Sequence, residues 1–159
     1  RWGEDKAKGP FAMGIFASII LIIVGWRQSD PTVALYHPPE IMILIAGPLI
    51  VAGLYLFISS SSPLRVRKWI RHPQLTGFAL LAIAHLLTNG EWRSVILFSG
   101  FTFWALILIP CINRRDGSYS APDVGSIKAE LKPIVITLVT FVVLSLTHGI
   151  YTAEPLITW

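Results

Sequence analysis

The amino-acid sequence predicts an all-α, polytopic membrane helix bundle with five transmembrane helices. Three observations predict it. Apolar residues make up 53% of the 159-residue chain and charged residues only 14%, whereas a water-facing domain carries about a quarter of its residues charged. The apolar residues gather into five stretches separated by polar, proline- or glycine-bearing segments. The basic residues fall almost wholly on one side of the membrane that those stretches would cross.

The first stretch, Phe11–Trp26, is short for a crossing, which takes roughly 17–25 residues; Gly9-Pro10 ahead of it can extend it. The second, Glu40–Ser59, follows His37-Pro38-Pro39, where proline stops the preceding structure and sets an extended entry, as it does at Asp30-Pro31. Gly47-Pro48 inside it predicts a kink. The third, Gln74–Thr88, is again short, and Asn89-Gly90 closes it with a tight reversal. The fourth is Arg93–Ile112 and the fifth Pro133–Tyr151. Between them the polar loop Asn113–Lys132, with Ser118–Pro122 at its middle, is expected to hold a short amphipathic piece over Val124–Ile127, capped by Asp123. No internal repeat stands out, and residues 1–159 read as one domain.

Of the 13 lysines and arginines, Arg1, Lys6, Lys8, Arg65, Arg67, Lys68, Arg71, Arg114, Arg115, Lys128 and Lys132 fall on one side of this alternation, and Arg27 and Arg93 on the other. That asymmetry places residue 1 in the cytoplasm and Trp159 outside, in a bacterial inner or an organellar membrane. The net charge of +4 then expresses topology, is answered by anionic lipid headgroups, and needs no nucleic-acid partner. Trp2, Trp26, Trp69, Trp92 and Trp159 fall at the expected interfaces as anchors. Gly14, Ser18, Gly47, Gly53, Gly77 and Gly100 offer small faces for close helix approach. Cys111, the only cysteine, has no partner for an intramolecular disulfide and reads as a small buried hydrophobe. The first apolar run ends in Trp26-Arg27-Gln28 with no small-residue cleavage site, so it is no cleavable signal peptide, and the initial Arg1 implies a segment upstream.

No catalytic triad, phosphate loop or Cys-x-x-Cys pair is present, and no carboxylate lies within the membrane, Glu40 standing at the edge of its span, which argues against a proton-driven pump. Four histidines remain as candidate ligands. His72, in Arg71-His72-Pro73-Gln74, opens the third helix. His85 follows thirteen residues later, about 19 Å along a helix axis, so the two cannot share one metal ion. By alternation His85, His148 and His37 come to the same membrane face. Imidazole ligates haem iron, and helix bundles hold such cofactors between facing helices. The plainer readings are an interfacial His37, a His148 bonded to a carbonyl and a Trp104 that packs within the fourth helix.

Several of these runs resemble the NnrU family of membrane proteins. They are Gly25-Trp26-Arg27 with Leu35-Tyr36-His37-Pro38-Pro39, Arg71-His72-Pro73-Gln74, Ala84-His85-Leu86-Leu87-Thr88-Asn89-Gly90, Leu97-Phe98-Ser99-Gly100-Phe101 and Leu146-Thr147-His148. The family is linked by name to nitrogen oxide metabolism, and members usually have six helices. The Arg-His-Pro-Gln and Ile-Ala-His segments also resemble 15-cis-zeta-carotene isomerase, a haem b membrane protein that isomerises a carotenoid double bond. That resemblance implies haem b with iron on His85, a functionally required His72, and another ligand in an earlier helix that this chain lacks. Within this chain His148 is the expected second ligand, and His72 with Arg71 the expected further cofactor-binding residues. It implies membrane lipid and a carotenoid or other polyene as partners, alone, as a homo-oligomer or within a larger membrane complex. The isomerase carries a cysteine three residues before its ligand histidine; this chain has Ala82 there.

Two alternatives come from other classes. Arg71-His72-Pro73 at a helix start also resembles isoprenylcysteine-type membrane methyltransferases, in which both residues would touch S-adenosylmethionine. Their further Arg and Glu near the carboxyl end have no match, since Glu154 falls on the other face. A non-catalytic subunit of a larger membrane assembly is the third reading.

Overall fold

In hydrocarbon every backbone N–H and C=O must be satisfied within the protein, so long apolar runs fold as helices. A computed structural model describes residues 4–30 and 32–152. It contains α1 (Glu4–Gln28), α2 (Met42–Ser59), α3 (Pro73–Thr88), α4 (Trp92–Asp116) and α5 (Leu131–Thr152), and no strand among the described residues. Arg1, Trp2, Pro31, Glu154 and Trp159 lie outside the described residues, as do the interfacial and sidedness expectations placed on them. Pro73 opens α3 at its first turn, where its missing N–H has no helical partner to lose. Gly117 ends α4 with φ at +69°, a left-handed backbone suited to a residue without Cβ.

Four helical segments are long and apolar enough to cross a membrane: Lys8–Gln28, Met42–Ser59, Trp92–Asp116 and Ile127–Gly149. The fifth, α3, has 16 residues and a length of about 24 Å. It is flanked by α2 and α4, and α5 packs against α2. The first helix runs further back than Phe11, through Pro10 to Glu4, and no residue in the span Lys8–Gln28 is fully buried against the rest of the chain. Cys111 is exposed on α4, which corrects the expectation of a buried position: it lies on a helix face that no neighbour covers.

Packing is tightest between α2 and α3. A Cβ on Gly53 would stand 2.8 Å from the Gly77 carbonyl oxygen and 2.9 Å from Leu81 Cγ. One on Gly77 would stand 2.9 Å from the backbone nitrogen of Phe57 and overlap the Gly53 carbonyl. The two backbones therefore touch, and both helices carry buried residues, Ala46, Leu54 and Leu56 on α2 and Ala79, Ala82 and Ala84 on α3. Between helices surrounded by lipid, such close packing substitutes for the hydrophobic effect. Gly14, Gly47 and Gly100, read from the sequence as similar contacts, have open space beside them, and Ser18 returns its hydroxyl to the Gly14 carbonyl at 2.8 Å. A small residue is needed only where two backbones converge, which spacing along one helix does not specify. α2 continues as helix through Pro48.

The basic ends of the helices are tied together by side chains. The Glu130 carboxylate accepts from the Tyr55 hydroxyl and from the Arg65 N–H, both at 2.9 Å, joining the start of α5 to α2 and to the 3-10 turn Arg65–Lys68. Asp123 does not cap a helix. The regular piece begins later, as the 3-10 turn Ile127–Glu130 preceded by Ser126. The chain before it is held instead by contacts to the α2–α3 connection, with Tyr119 donating to the Arg67 carbonyl at 2.6 Å and Gly125 N–H to the Pro63 carbonyl at 3.4 Å.

Gly77→Ala is expected to destabilise the folded protein by about 1–3 kcal/mol, because backbone atoms would have to move. Gly47→Ala is expected to be neutral or to stabilise by up to about 1 kcal/mol through helix propensity. Thermal unfolding in detergent, followed by circular dichroism, checks both.

Candidate functional site

The site is built around the end of α3. His85 lies in the last turn of α3, where its carbonyl accepts from the Asn89 N–H at 2.8 Å. Its Nδ1 is 2.7 Å from the Leu81 carbonyl oxygen one turn earlier. A carbonyl can only accept, so Nδ1 carries the proton and donates it, and Nε2 keeps its lone pair. The imidazole stacks on Phe98 of α4, with centroids 4.3 Å apart and planes 25° apart. One helix thus fixes the tautomer and the next fixes the ring plane.

His148, in the last part of α5, is close enough for the two imidazoles to act on each other electrostatically. The two residues expected as metal ligands therefore come to one end of the bundle. His37 is exposed on the connection between α1 and α2. No group of three or more His, Cys, Asp or Glu side chains converges among the described residues.

Over this end runs a strap, residues 33–38. Leu35 N–H donates to the Gly90 carbonyl at 2.8 Å and Trp92 N–H to the Val33 carbonyl at 2.9 Å, with Ala34 and Glu91 forming an antiparallel bridge. The Tyr36 hydroxyl donates to the Leu86 carbonyl and lies 3.1 Å from that of Asn89. Partial burial holds this phenol above its usual value, which keeps it a donor. Asn89 in turn donates from Nδ2 to the His85 carbonyl at 2.9 Å and to Thr88 Oγ1 at 3.0 Å. Gly90 permits the crossing, since a Cβ there would overlap the Tyr36 carbonyl and stand 3.2 Å from Pro38 Cδ. The Asn89-Gly90 reversal is therefore also one side of a two-chain crossing. Beside it, Trp92 Nε1 donates to the Asp30 carbonyl at 3.0 Å, and Arg93 covers the Trp26 ring at 4.5 Å while bonding Glu91 at 2.7 Å.

Arg71 and His72 stand at the other end of α3, and both are engaged within the chain. Arg71 Nη1 donates to the Gly117 carbonyl at 2.6 Å and its guanidinium lies 5.4 Å from the Tyr119 ring centroid. His72 Nε2 is 2.9 Å from Asn113 Oδ1. They fasten the start of α3 to the end of α4, a part the sequence alone does not reveal because it joins residues over forty positions apart.

From His85 a run of rings descends between α3 and α4. Phe98 lies 6.4 Å from Phe101, Phe101 5.0 Å from Phe78, and Phe78 5.7 Å from Trp104. Trp104 packs as expected, yet it is 51% exposed because it also lines an apolar groove of about 720 Å³ that faces α1. Apart from the Leu97–Phe101 run in the family resemblance, no local signal marks Phe98 or Phe101; only the meeting of two helices gives them a role.

Gly90→Ala is expected to release the strap while the bundle stays folded. Amide exchange at Leu35 and Tyr36, followed by mass spectrometry, should quicken roughly tenfold.

A family model described as "NnrU protein" matches residues 1–155. No curated protein and no solved structure matches the chain.

Proposed function

The chain belongs to the NnrU family, and from that premise we propose that it is a membrane haem-binding protein whose iron is held by His85. One observation carries the reading: the His85 Nδ1–H is spent on the Leu81 carbonyl and its ring is fixed against Phe98. A metal-binding histidine characteristically gives its other ring N–H to a carbonyl or carboxylate, which fixes the tautomer and raises the basicity of the ligating nitrogen. The donor set suits haem better than a bare ion. A lone zinc or iron takes three or more protein ligands, a number not assembled among the described residues, whereas porphyrin brings four nitrogens and asks for one or two axial ones. His148 would supply a second imidazole to the iron in this reading.

When bound, haem supplies reversible one-electron chemistry or, as in the isomerase that the chain resembles, rearrangement of a polyene. The chain's own contribution is orientation. Leu81 and Phe98 hold the imidazole, while the Tyr36–Asn89 network steadies the last turn of α3 that carries it. With alanine at position 82, exchange of the ligand for a thiolate is not open to this chain. Arg71 and His72 serve as the fastening of α3 to α4 rather than as a methyltransferase cofactor site, their donors being directed to Gly117 and Asn113.

The test is a reduced-minus-oxidised visible spectrum of the full-length protein purified after haem supplementation. A haem b signal is expected, lost in His85→Ala and weakened or shifted in His148→Ala. A flat spectrum from the wild type, or an unchanged one from His85→Ala, overturns the reading and leaves the non-catalytic subunit.

A further inference from the structure

The groove beside α1 invites an occupant different from haem. One wall is Phe78, Phe101 and Trp104; the other is α1, with Phe11, Ile15 and Ile19. No charged residue lines it. Two side-chain donors do, and they differ. The Ser18 hydroxyl is spent on the Gly14 carbonyl. The Trp104 ring packs edge-on with Phe78, and its indole N–H has no hydrogen-bond partner among the described residues.

Trp104 is twelve residues from either end of α4, so it lies about 18 Å along the axis from each. That is the middle of the bilayer, where water cannot satisfy an N–H and leaving it bare is costly. A ligand can bring the acceptor that the described residues do not, and depth and charge select which. A diacyl lipid keeps its ester oxygens at the edge of the hydrocarbon, about 15 Å from the midplane. A pure hydrocarbon has no acceptor to offer. An anionic cofactor would need a cation that the lining lacks.

We propose that the groove between α1 and the Phe78–Phe101–Trp104 wall binds an isoprenoid quinone, with a ring carbonyl accepting the Trp104 N–H. A quinone is flat, neutral and rich in acceptors, with no N–H or O–H of its own. Its ring lies against the three aromatic side chains and its tail follows the apolar face of α1. The volume of about 720 Å³ falls within the range of sites for ligands of this size. The proposal stands apart from haem binding at His85 and shares no residue with it.

The full-length protein is placed in phosphatidylcholine nanodiscs, and retention of a tritiated 1,4-benzoquinone bearing a decyl chain is measured against empty discs. Tritiated decylbenzene, which lacks the oxygens, serves as the second probe. Wild type is expected to hold the quinone saturably. Trp104→Phe keeps a ring but removes the N–H, and should weaken quinone binding about fivefold, the value of one neutral hydrogen bond, without altering decylbenzene retention. Gly14→Phe fills the groove from a position where an added Cβ meets nothing within 4 Å; it should abolish quinone retention and leave the helical content and the haem spectrum unchanged. The proposal is overturned if wild type shows no saturable retention, if Trp104→Phe binds quinone as wild type does or loses both probes equally, or if Gly14→Phe still binds.

Discussion

The architecture depends on one contact, the backbone-to-backbone approach of α2 and α3 at Gly53 and Gly77. Lipid tails are as apolar as leucine, so burying side chains between helices gains little, and close packing must do what the hydrophobic effect does in water. Once α2 and α3 are locked, α4 docks on the free side of α3 and α5 on α2. The register of α3 then decides where both of its ends come to rest. His85 is delivered beneath the strap and against Phe98, and His72 beside Asn113. A shift at the glycine contact would move both at once.

The two ends of α3 are finished in different ways. At the basic end, side chains do the joining: Glu130 gathers Tyr55 and Arg65, and Arg71 reaches Gly117. At the histidine end, main chain does much of it, through the crossing of residues 33–36 with 90–92. A side-chain fastening tolerates substitution by a similar donor. A main-chain crossing depends on shape, which is why Gly90 has no room for a Cβ.

The five helices were legible because hydrocarbon imposes helix on any long uncharged run, and proline and glycine punctuate the ends, as at Pro73 and Gly117. His85 was legible as a candidate because an ionisable group in such a run is exceptional. What surrounds it was not. Leu81 follows from helix spacing once a tautomer is asked for, but Phe98 arrives from α4 and Tyr36 from the strap, 50 positions from its partner Leu86. The small-residue rule pointed to six positions. It succeeded at Gly53 and Gly77, because those faces meet each other. The cap expected of Asp123 gave way to long-range bonds from Tyr119 and Gly125 that pattern along the chain does not encode.

The shortness of α3 bears on how the site is reached. At 16 residues it falls about 6 Å short of a hydrocarbon layer of about 30 Å. Its neighbours α2 and α4 are longer, so the mismatch is local, and the bilayer answers it by thinning around the ends of this one helix. Headgroups and water then dip toward the strap, whose residues 33–36 are exposed. A small water-borne molecule could approach the end of α3 without crossing hydrocarbon, while an oily one would come sideways from the membrane interior. The same mismatch favours residence in a thin membrane over a sterol-thickened one.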